Sequence, residues 1–374
     1  MRDHPHPSIT GNPGEKADLS DPLESLHSFE DYLVRREPIL HAFIPEEGHV
    51  ERLETGMKAL FDRYPDPERR PILFGVLVGV KDIFHVAGFP TAAGSRLPPE
   101  ELVGAESAAV AALKAAGALV AGKTHTTEFA YFAPGPTRNP YNPDHTPGGS
   151  SSGSAAAVAA GACPLAMGTQ TIGSIIRPAA YCGVVGFKPS YDRISRGGVI
   201  PLAPSVDHVG FFAANVDWAA RAAGVLCRGW SPVAVQGRRP VLGVPEGPYL
   251  RRASPEGLAF FREACERLAQ AGYQVRFVAA FEDFEAIYER HNLIVAAEAA
   301  RVHKKWYAQY GPLYHPRTAA LIERGLGAGA HAGQQPAGDG LYVFWLEDHQ
   351  RAGAAAEDPD HQRLVYLPGP ALYL

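Results

Sequence analysis

Three segments of the sequence carry side chains that could perform nucleophilic chemistry. Lys81 ends an apolar run at residues 72–82, where it could extend its amine to solvent or, if buried, act as a base with a lowered pKa. Ser150 lies in the stretch PGGSSSGS, which is typical of an anion-binding loop or of a linker. Ser174 lies in the turn GTQTIGS, which could direct consecutive N–H groups at one atom or be an ordinary polar turn.

The sequence around these segments predicts alternating strands and helices. Apolar runs rich in β-branched residues predict strands at 72–82, 118–125, 240–247 and 273–279. Helical spacing predicts two helices within 23–64, then helices at 105–117, 154–161, 254–272 and over most of 281–325, with an interruption near 311–312. Because strand–helix–strand order favours parallel pairing, we expect an α/β fold with a central mixed, mostly parallel sheet flanked by helices on both faces.

Composition excludes several classes of protein. The chain has 374 residues, with 35 basic and 40 acidic side chains and a formal charge of −5, which argues against a nucleic-acid partner. Its four cysteines form no CxxC pair and no Cys/His cluster with ligand spacing, so we expect no metal and no cofactor. No secretory signal is recognisable, and no run reaches the roughly 18 apolar residues of a membrane span, which predicts a cytoplasmic protein without a membrane partner.

Considered together, the three segments resemble the amidase signature family. The resemblance extends from about residue 28 to about residue 325 and rests on GVKDIF, on the serine-rich block and on the turn GSIIRPA. Four further runs contribute to it: TAAGS at 91–95, GKTHTTEFA at 122–130, GPTRNPYN at 135–142 and SVDHVGFFA at 205–213. The resemblance implies an α/β enzyme that hydrolyses a linear carboxamide to a carboxylate and ammonia or an amine.

The same resemblance implies a role for each reactive residue. Family members use a serine–serine–lysine triad, which makes Ser174 the nucleophile, Ser150 the bridging serine after a cis peptide bond to residue 149, and Lys81 the base. The oxyanion hole would consist of the backbone N–H groups of Thr171, Ile172, Gly173 and Ser174. Water would then hydrolyse the serine acyl-enzyme. From their position beside these segments, the candidates for contact with a small-molecule amide substrate are Tyr131, Phe132 and Arg177.

Two residues of the nucleophile turn depart from the common family pattern. Gln170 stands where many members have aspartate, and Ile172 stands where glycine is common. The β-branched Ile172 restricts the backbone conformations of the turn. A subset of the family resembles this chain in having glutamine there and the Ile-Arg-Pro order at 176–178, so the departures are compatible with catalysis.

The resemblance also divides the chain. It implies a flexible leader at 1–26, an incomplete amidase signature domain at 27–326 and a tail at 327–374 that does not match the family. Because the family's late strands are not recognisable after residue 326, a truncated, non-catalytic remnant is one alternative. The glutaminase subunit of a tRNA-dependent amidotransferase, which would need partner subunits, is another. A homodimer stays open as the assembly of a free amidase.

Overall fold

The computed structural model describes residues 21–231, 239–332 and 364–366 of the chain. These residues belong to two compact units. One unit lies within Met1–Ser231 and Lys304–Ala320, and the other lies within Pro232–His303 and Leu321–Leu374. The three reactive segments all belong to the first unit.

The first unit is built on a five-stranded sheet. Its strands are β1 (Leu77–Lys81), β2 (Leu119–Thr124), β3 (Leu165–Gln170), β4 (Val185–Phe187) and β5 (His208–Ala213), in the order β2-β1-β3-β5-β4. β1 pairs in parallel with β2 and β3, whereas β5 is antiparallel to both β3 and β4. Four of the five strands therefore run in one direction, which confirms the predicted α/β fold with a mixed, mostly parallel sheet. All five residues of β1 are buried, which explains its nearly continuous apolar sequence.

Small side chains allow one helix of this unit to pack very closely against the sheet. The helices are α1 (Pro22–Arg35), α2 (Glu37–Leu40), α3 (His49–Arg63), α4 (Ala108–Ala115), α5 (Ser152–Ala159), α6 (Ile176–Tyr181) and α7 (Val216–Leu226). Helix α5 consists of Ser, Gly, Ala and Val and contacts β1, β2 and β3. A Cβ atom at Gly153 would lie 2.2 Å from the carbonyl oxygen of Ala42, so the first turn of α5 requires glycine there.

The start of α1 corrects the expected leader. The helix begins at Pro22, inside the segment 1–26 that the sequence indicates to be flexible. The Asp21 carboxylate accepts hydrogen bonds from the N–H groups of Leu23 and Glu24 and so caps the helix. Residues 1–20 lie outside the described part of the chain.

The second unit contains a smaller parallel sheet. β6 (Val241–Glu246) pairs in parallel with β7 (Gln274–Ala279) and with β8 (Leu364–Tyr366). Helix α8 (Pro255–Gln270) connects β6 to β7, and the Ser254 hydroxyl accepts a hydrogen bond from the Gly257 N–H at its start. These elements agree with the strands and the helix that the sequence predicts at 240–279.

Two long helices follow, and the bounds of the two units fall within them. They are α9 (Phe284–Tyr310) and α10 (Pro316–Ala332), separated by a short turn at Gly311–Leu313 that matches the predicted interruption. α10 continues to Ala332, so the tail that the sequence assigns to 327–374 begins with helical residues. Apart from Leu364–Tyr366, the rest of that tail lies outside the described residues. No helix among those described is both long and apolar enough to span a membrane.

Candidate active site

Lys81 lies at the carboxyl end of strand β1, between β2 and β3, and is fully excluded from solvent. Its Nζ atom donates hydrogen bonds to Ser150 Oγ and to Thr169 Oγ1, each at 2.8 Å. Burial lowers the pKa of Lys81 to about 7, although attraction to the Asp207 carboxylate acts in the opposite direction. Within the described residues, Lys81 forms no ion pair. An amine in such surroundings exchanges its proton near neutral pH and can act as a base.

The backbone around Ser150 is held from two sides. The peptide bond between Gly149 and Ser150 is cis, as the family resemblance implies. The Ser150 carbonyl accepts hydrogen bonds from the Thr127 N–H at 3.1 Å and from the Thr126 hydroxyl at 3.2 Å. On the other side, the guanidinium of Arg177 donates twice to the Gly149 carbonyl, at 2.8 and 3.1 Å. These contacts fix the loop that presents the Ser150 hydroxyl to the lysine.

Arg177 therefore has a contact that its position in the sequence does not reveal. Besides binding the serine loop, its guanidinium lies over the ring of Phe132, 5.7 Å from the centroid. Phe132 and Tyr131 are half-buried neighbours with ring centroids 4.7 Å apart. The structure thus groups all three residues proposed for substrate contact beside the serine loop, with Arg177 already engaged by protein groups.

The turn that carries Ser174 connects β3 to α6. The Gln170 side-chain oxygen accepts hydrogen bonds from the N–H groups of Ile175 and Ile176, at 2.9 and 3.1 Å. The Ser174 carbonyl accepts a bond of 3.4 Å from the Ser151 N–H, which ties the turn to the serine loop. Gln170, one of the two departures from the family pattern, thus fixes the backbone that follows Ser174.

Ser174 is a buried residue, with 5 % of its surface exposed. Within the described part of the chain its hydroxyl has no hydrogen-bond partner, so the structure joins Lys81 to Ser150 but does not join the hydroxyls of Ser150 and Ser174. The two serines approach each other through the backbone contact between Ser151 and Ser174. No described residue therefore accepts the hydroxyl proton of Ser174.

Backbone N–H groups are available on the same turn. None of the N–H groups of residues 171–174 donates to an acceptor within the described residues, and residues 171–173 are half-exposed. The Thr171 hydroxyl donates to an Asp207 carboxylate oxygen at 2.5 Å, and the other oxygen accepts from the N–H groups of Leu202 and Ala203 at 2.9 Å each. Burial raises the pKa of Asp207. Consecutive unpaired N–H groups on a fixed turn suit the stabilisation of an oxyanion.

Sequence reasoning misses two residues of this site. Thr169 contacts the lysine from β3, and Asp207 reaches the turn from the segment before β5. Asp207 belongs to the run SVDHVGFFA, which contributes to the family resemblance without indicating a role. Both residues also line a cavity of about 180 Å³ beside the nucleophile turn. Among the described residues, no group of three His, Cys, Asp or Glu side chains could hold a metal ion.

Known proteins resemble this chain over most of its described length. The family model described as Amidase matches residues 55–324. A glutamyl-tRNA(Gln) amidotransferase subunit of Thermus thermophilus is 44% identical over 204 residues, which are 52% of this chain and 41% of that protein. The matched part of this chain thus spans about two fifths of the length of this curated relative.

Solved structures resemble the fold more completely. A crystal structure described as that of an amidase superposes with a TM-score of 0.78 and 31% identity, covering 94% of this chain and 80% of its own. The peptide amidase from Stenotrophomonas maltophilia superposes with a TM-score of 0.70 and 26% identity, covering 88% of this chain and 76% of its own.

Proposed function

This chain belongs to the amidase signature family, and we propose that it hydrolyses small carboxamides through an acyl-enzyme on Ser174. The observation that carries the proposal is the buried contact between Lys81 and Ser150, in which the amine donates to hydroxyl groups and, among the residues that the structure describes, pairs with no carboxylate. A serine hydroxyl becomes a useful nucleophile only when a neighbouring base removes its proton. A lysine with a pKa of about 7 is such a base at neutral pH.

In the proposed first step, neutral Lys81 accepts the Ser150 proton while Ser150 accepts the proton of Ser174. The Ser174 oxygen attacks the amide carbonyl and forms a tetrahedral intermediate. Its oxyanion receives hydrogen bonds from the N–H groups of residues 171–174, which are unpaired within the described structure. Thr169 accepts one hydrogen of the lysine amine, which leaves the lone pair directed at Ser150.

The same proton path serves the two remaining steps. Ser150 returns the proton to the leaving nitrogen, the C–N bond breaks, and ammonia or an amine departs. Water then attacks the Ser174 ester, again losing its proton through Ser150 to Lys81. Collapse of the second tetrahedral intermediate releases the carboxylate and restores the Ser174 hydroxyl.

Substitution of the nucleophile tests the proposal. Ser174→Ala should reduce amide hydrolysis by at least about 10³-fold, because the acyl-enzyme can no longer form. Ser190→Ala, at an exposed serine of the same unit, is the matched control and should retain activity. Mass spectrometry of the intact chain during turnover should detect the acyl adduct on the peptide that contains Ser174. Full activity of Ser174→Ala would refute the proposal.

A second candidate function comes from the names of the relatives. The Thermus protein is one subunit of a glutamyl-tRNA(Gln) amidotransferase, which favours hydrolysis of glutamine within an assembly that includes partner subunits. The ratio of kcat/KM for L-glutamine to that for a neutral amide such as propionamide distinguishes the two candidates. We expect the neutral amide to be the better substrate of the isolated chain, and a strong preference for glutamine would support the second candidate.

A further inference from the structure

A cavity adjoins the nucleophile turn and extends away from it. Its lining includes Thr169, which contacts Lys81, and Thr171, which begins the proposed oxyanion hole. The remaining wall is mostly aliphatic and includes Ile83, which follows β1, and Val209 of β5. The loop between β4 and β5 contributes Val199, Ile200 and Leu202.

The cavity wall is fixed by hydrogen bonds to the surrounding fold. The Ile200 N–H donates to the Ile83 carbonyl at 2.8 Å. The Leu202 N–H donates to the Asp207 carboxylate, which also accepts from the Thr171 hydroxyl. The wall and the nucleophile turn are therefore joined through one buried carboxylate, as expected for a preformed binding site.

Charged and titratable groups of the lining already contact protein atoms. Both oxygens of Asp207 accept hydrogen bonds. One terminal nitrogen of the Arg196 guanidinium donates to the Pro204 carbonyl, its Nε lies 3.9 Å from an Asp192 carboxylate oxygen, and the group lies 4.5 Å from the Tyr191 ring centroid. His208 Nδ1 lies 2.8 Å from the Val206 carbonyl, and burial lowers the pKa of this histidine to about 4, so its ring is neutral at neutral pH.

These contacts indicate which chemical groups of a ligand the cavity can bind. The uncommitted wall is aliphatic, and Arg196 keeps a positive charge beside it. An apolar group gains free energy by leaving water for such a wall, whereas a charged group would lose its hydration there and meet lining charges of both signs, Asp207 and Arg196, that already have protein partners. The volume of about 180 Å³ slightly exceeds the roughly 150 Å³ of an engineered protein cavity that holds benzene.

We propose that this cavity is the acyl subsite and that it takes a compact, uncharged, apolar group up to about the size of a benzene ring. The inference rests on the proposed function, because the cavity is placed beside Ser174 only by Thr171 of the oxyanion turn and by Thr169, which contacts Lys81. The preferred substrates are then small aliphatic or aromatic carboxamides, irrespective of the amine that leaves. Glutamine, with its charged ammonium and carboxylate groups, does not fit this description.

A series of primary amides measures the size limit. From acetamide through propionamide to isovaleramide, kcat/KM should rise about fourfold per added methylene. Benzamide should lie near the maximum, and 1-naphthamide should fall at least about tenfold below it, because two fused rings exceed the cavity. 4-Aminobutyramide should be at least about tenfold poorer than the nearly isosteric valeramide. A flat series, or equal rates for that pair, would overturn the subsite.

Substitutions in the wall test the location. Val199→Phe should lower kcat/KM for benzamide at least about tenfold and leave that for acetamide nearly unchanged. Ile200→Ala should improve 1-naphthamide relative to benzamide, which provides a second test if the first variant folds poorly. Val103→Phe, at a site that is 80% exposed in another part of the same unit, is the control and should change neither ratio.

These experiments distinguish failure of the proposed subsite from failure of the proposed function. Hydrolysis that persists with unchanged ratios in both wall variants would refute only the subsite. Absence of hydrolysis for every amide, with no acyl adduct on Ser174, would refute the proposed function itself.

Discussion

Two lysines of one sheet are almost equally buried, yet their amines contact different chemical groups. Lys81 ends β1, and Lys123 lies next to the end of the neighbouring strand β2, with 0% and 4% of each residue exposed. The Lys123 amine lies 2.8 Å from a carboxylate oxygen of Asp82. The Lys81 amine instead meets the hydroxyls of Ser150 and Thr169.

A neighbouring carboxylate decides whether a buried amine keeps its proton. Burial lowers the pKa of both lysines, but attraction to Asp82 and a hydrogen bond to it oppose this at Lys123. At Lys81 the opposing attraction within the described residues comes from Asp207, which makes no ion pair with it, and the pKa falls to about 7. A hydroxyl accepts a hydrogen bond but carries no charge to retain the proton. The first lysine therefore suits proton transfer, and the second suits a structural ion pair.

Replacing the base should have the largest effect on activity. Lys81→Arg keeps the charge and much of the length, but a guanidinium with a pKa above about 12 cannot accept a proton. We expect kcat/KM to fall at least about 10³-fold in both Lys81→Arg and Lys81→Ala. Steady-state kinetics on a primary amide measures the loss.

A charge-preserving control accompanies this measurement. Lys114→Arg, at a partly exposed ion pair with Glu106, should retain activity. If the lysine served only to hold the loop by its charge, Lys81→Arg would be active and Lys81→Ala inactive. Such a pattern would show that Lys81, like Lys123, has a structural role and does not transfer a proton.

Stability should respond in opposite directions at the two sites. Lys123→Met leaves the Asp82 carboxylate buried without its cation, and should lower the free energy of unfolding by about 3–5 kcal/mol. Lys81→Met removes an amine whose pKa falls from its usual 10.5 to about 7 on folding. The folded state therefore binds the Lys81 proton less tightly than the unfolded state does, and this opposes folding most strongly below pH 7. Lys81→Met should thus be as stable as the unaltered chain or more stable, with the largest gain at low pH.

Chemical denaturation at several pH values measures these differences. Lys114→Met, which breaks a partly exposed pair, is the control and should cost less than about 1 kcal/mol. An equal loss of stability in Lys81→Met and Lys123→Met would show that the two lysines have the same structural role.

The sequence predicts the reactive residues because each lies in a short, local pattern. Lys81 follows an apolar run, and the two serines lie in glycine-containing turns at a spacing that resembles a known family. The strands at 77–81 and 119–124 are predicted for a similar reason, since buried parallel strands read as continuous apolar runs. Strand β3 carries Gly168 and two polar residues in six positions, and β4 has only three residues, so neither gives a clear periodic signal.

The remaining site contacts depend on distant parts of the chain. Thr169 reaches Lys81 only because β3 lies beside β1, and Asp207 reaches Thr171 across the end of β5. Arg177 is close to the reactive turn in sequence, but its contact with the Gly149 carbonyl depends on how the serine loop folds back. Single-sequence patterns do not encode these pairings.

Removing the charge of Asp207, which acts on Lys81 from a distance, should have a smaller effect on activity, seen as a shift in its pH dependence. Asp207→Asn removes a negative charge that raises the pKa of this lysine, so the pKa should fall and the acidic limb of kcat/KM should move to lower pH by less than about one unit. The other charged or titratable groups near Asp207 are Arg196 and His208. Asp62→Asn, at an exposed carboxylate of α3, should leave the limb unchanged. A shift to higher pH in Asp207→Asn would contradict the assignment of the limb to Lys81.

The pH dependence of Ser174 labelling tests most directly whether a neutral Lys81 activates Ser174 through Ser150. A fluorophosphonate reacts with the activated serine, and peptide mass spectrometry identifies the labelled residue. We expect the rate constant for labelling of Ser174 to rise about tenfold per pH unit below pH 7, to level off above it, and to be nearly abolished in Lys81→Arg. A rate constant that is independent of pH between about 5 and 9, or that is unchanged in Lys81→Arg, would contradict the role of Lys81 as the base.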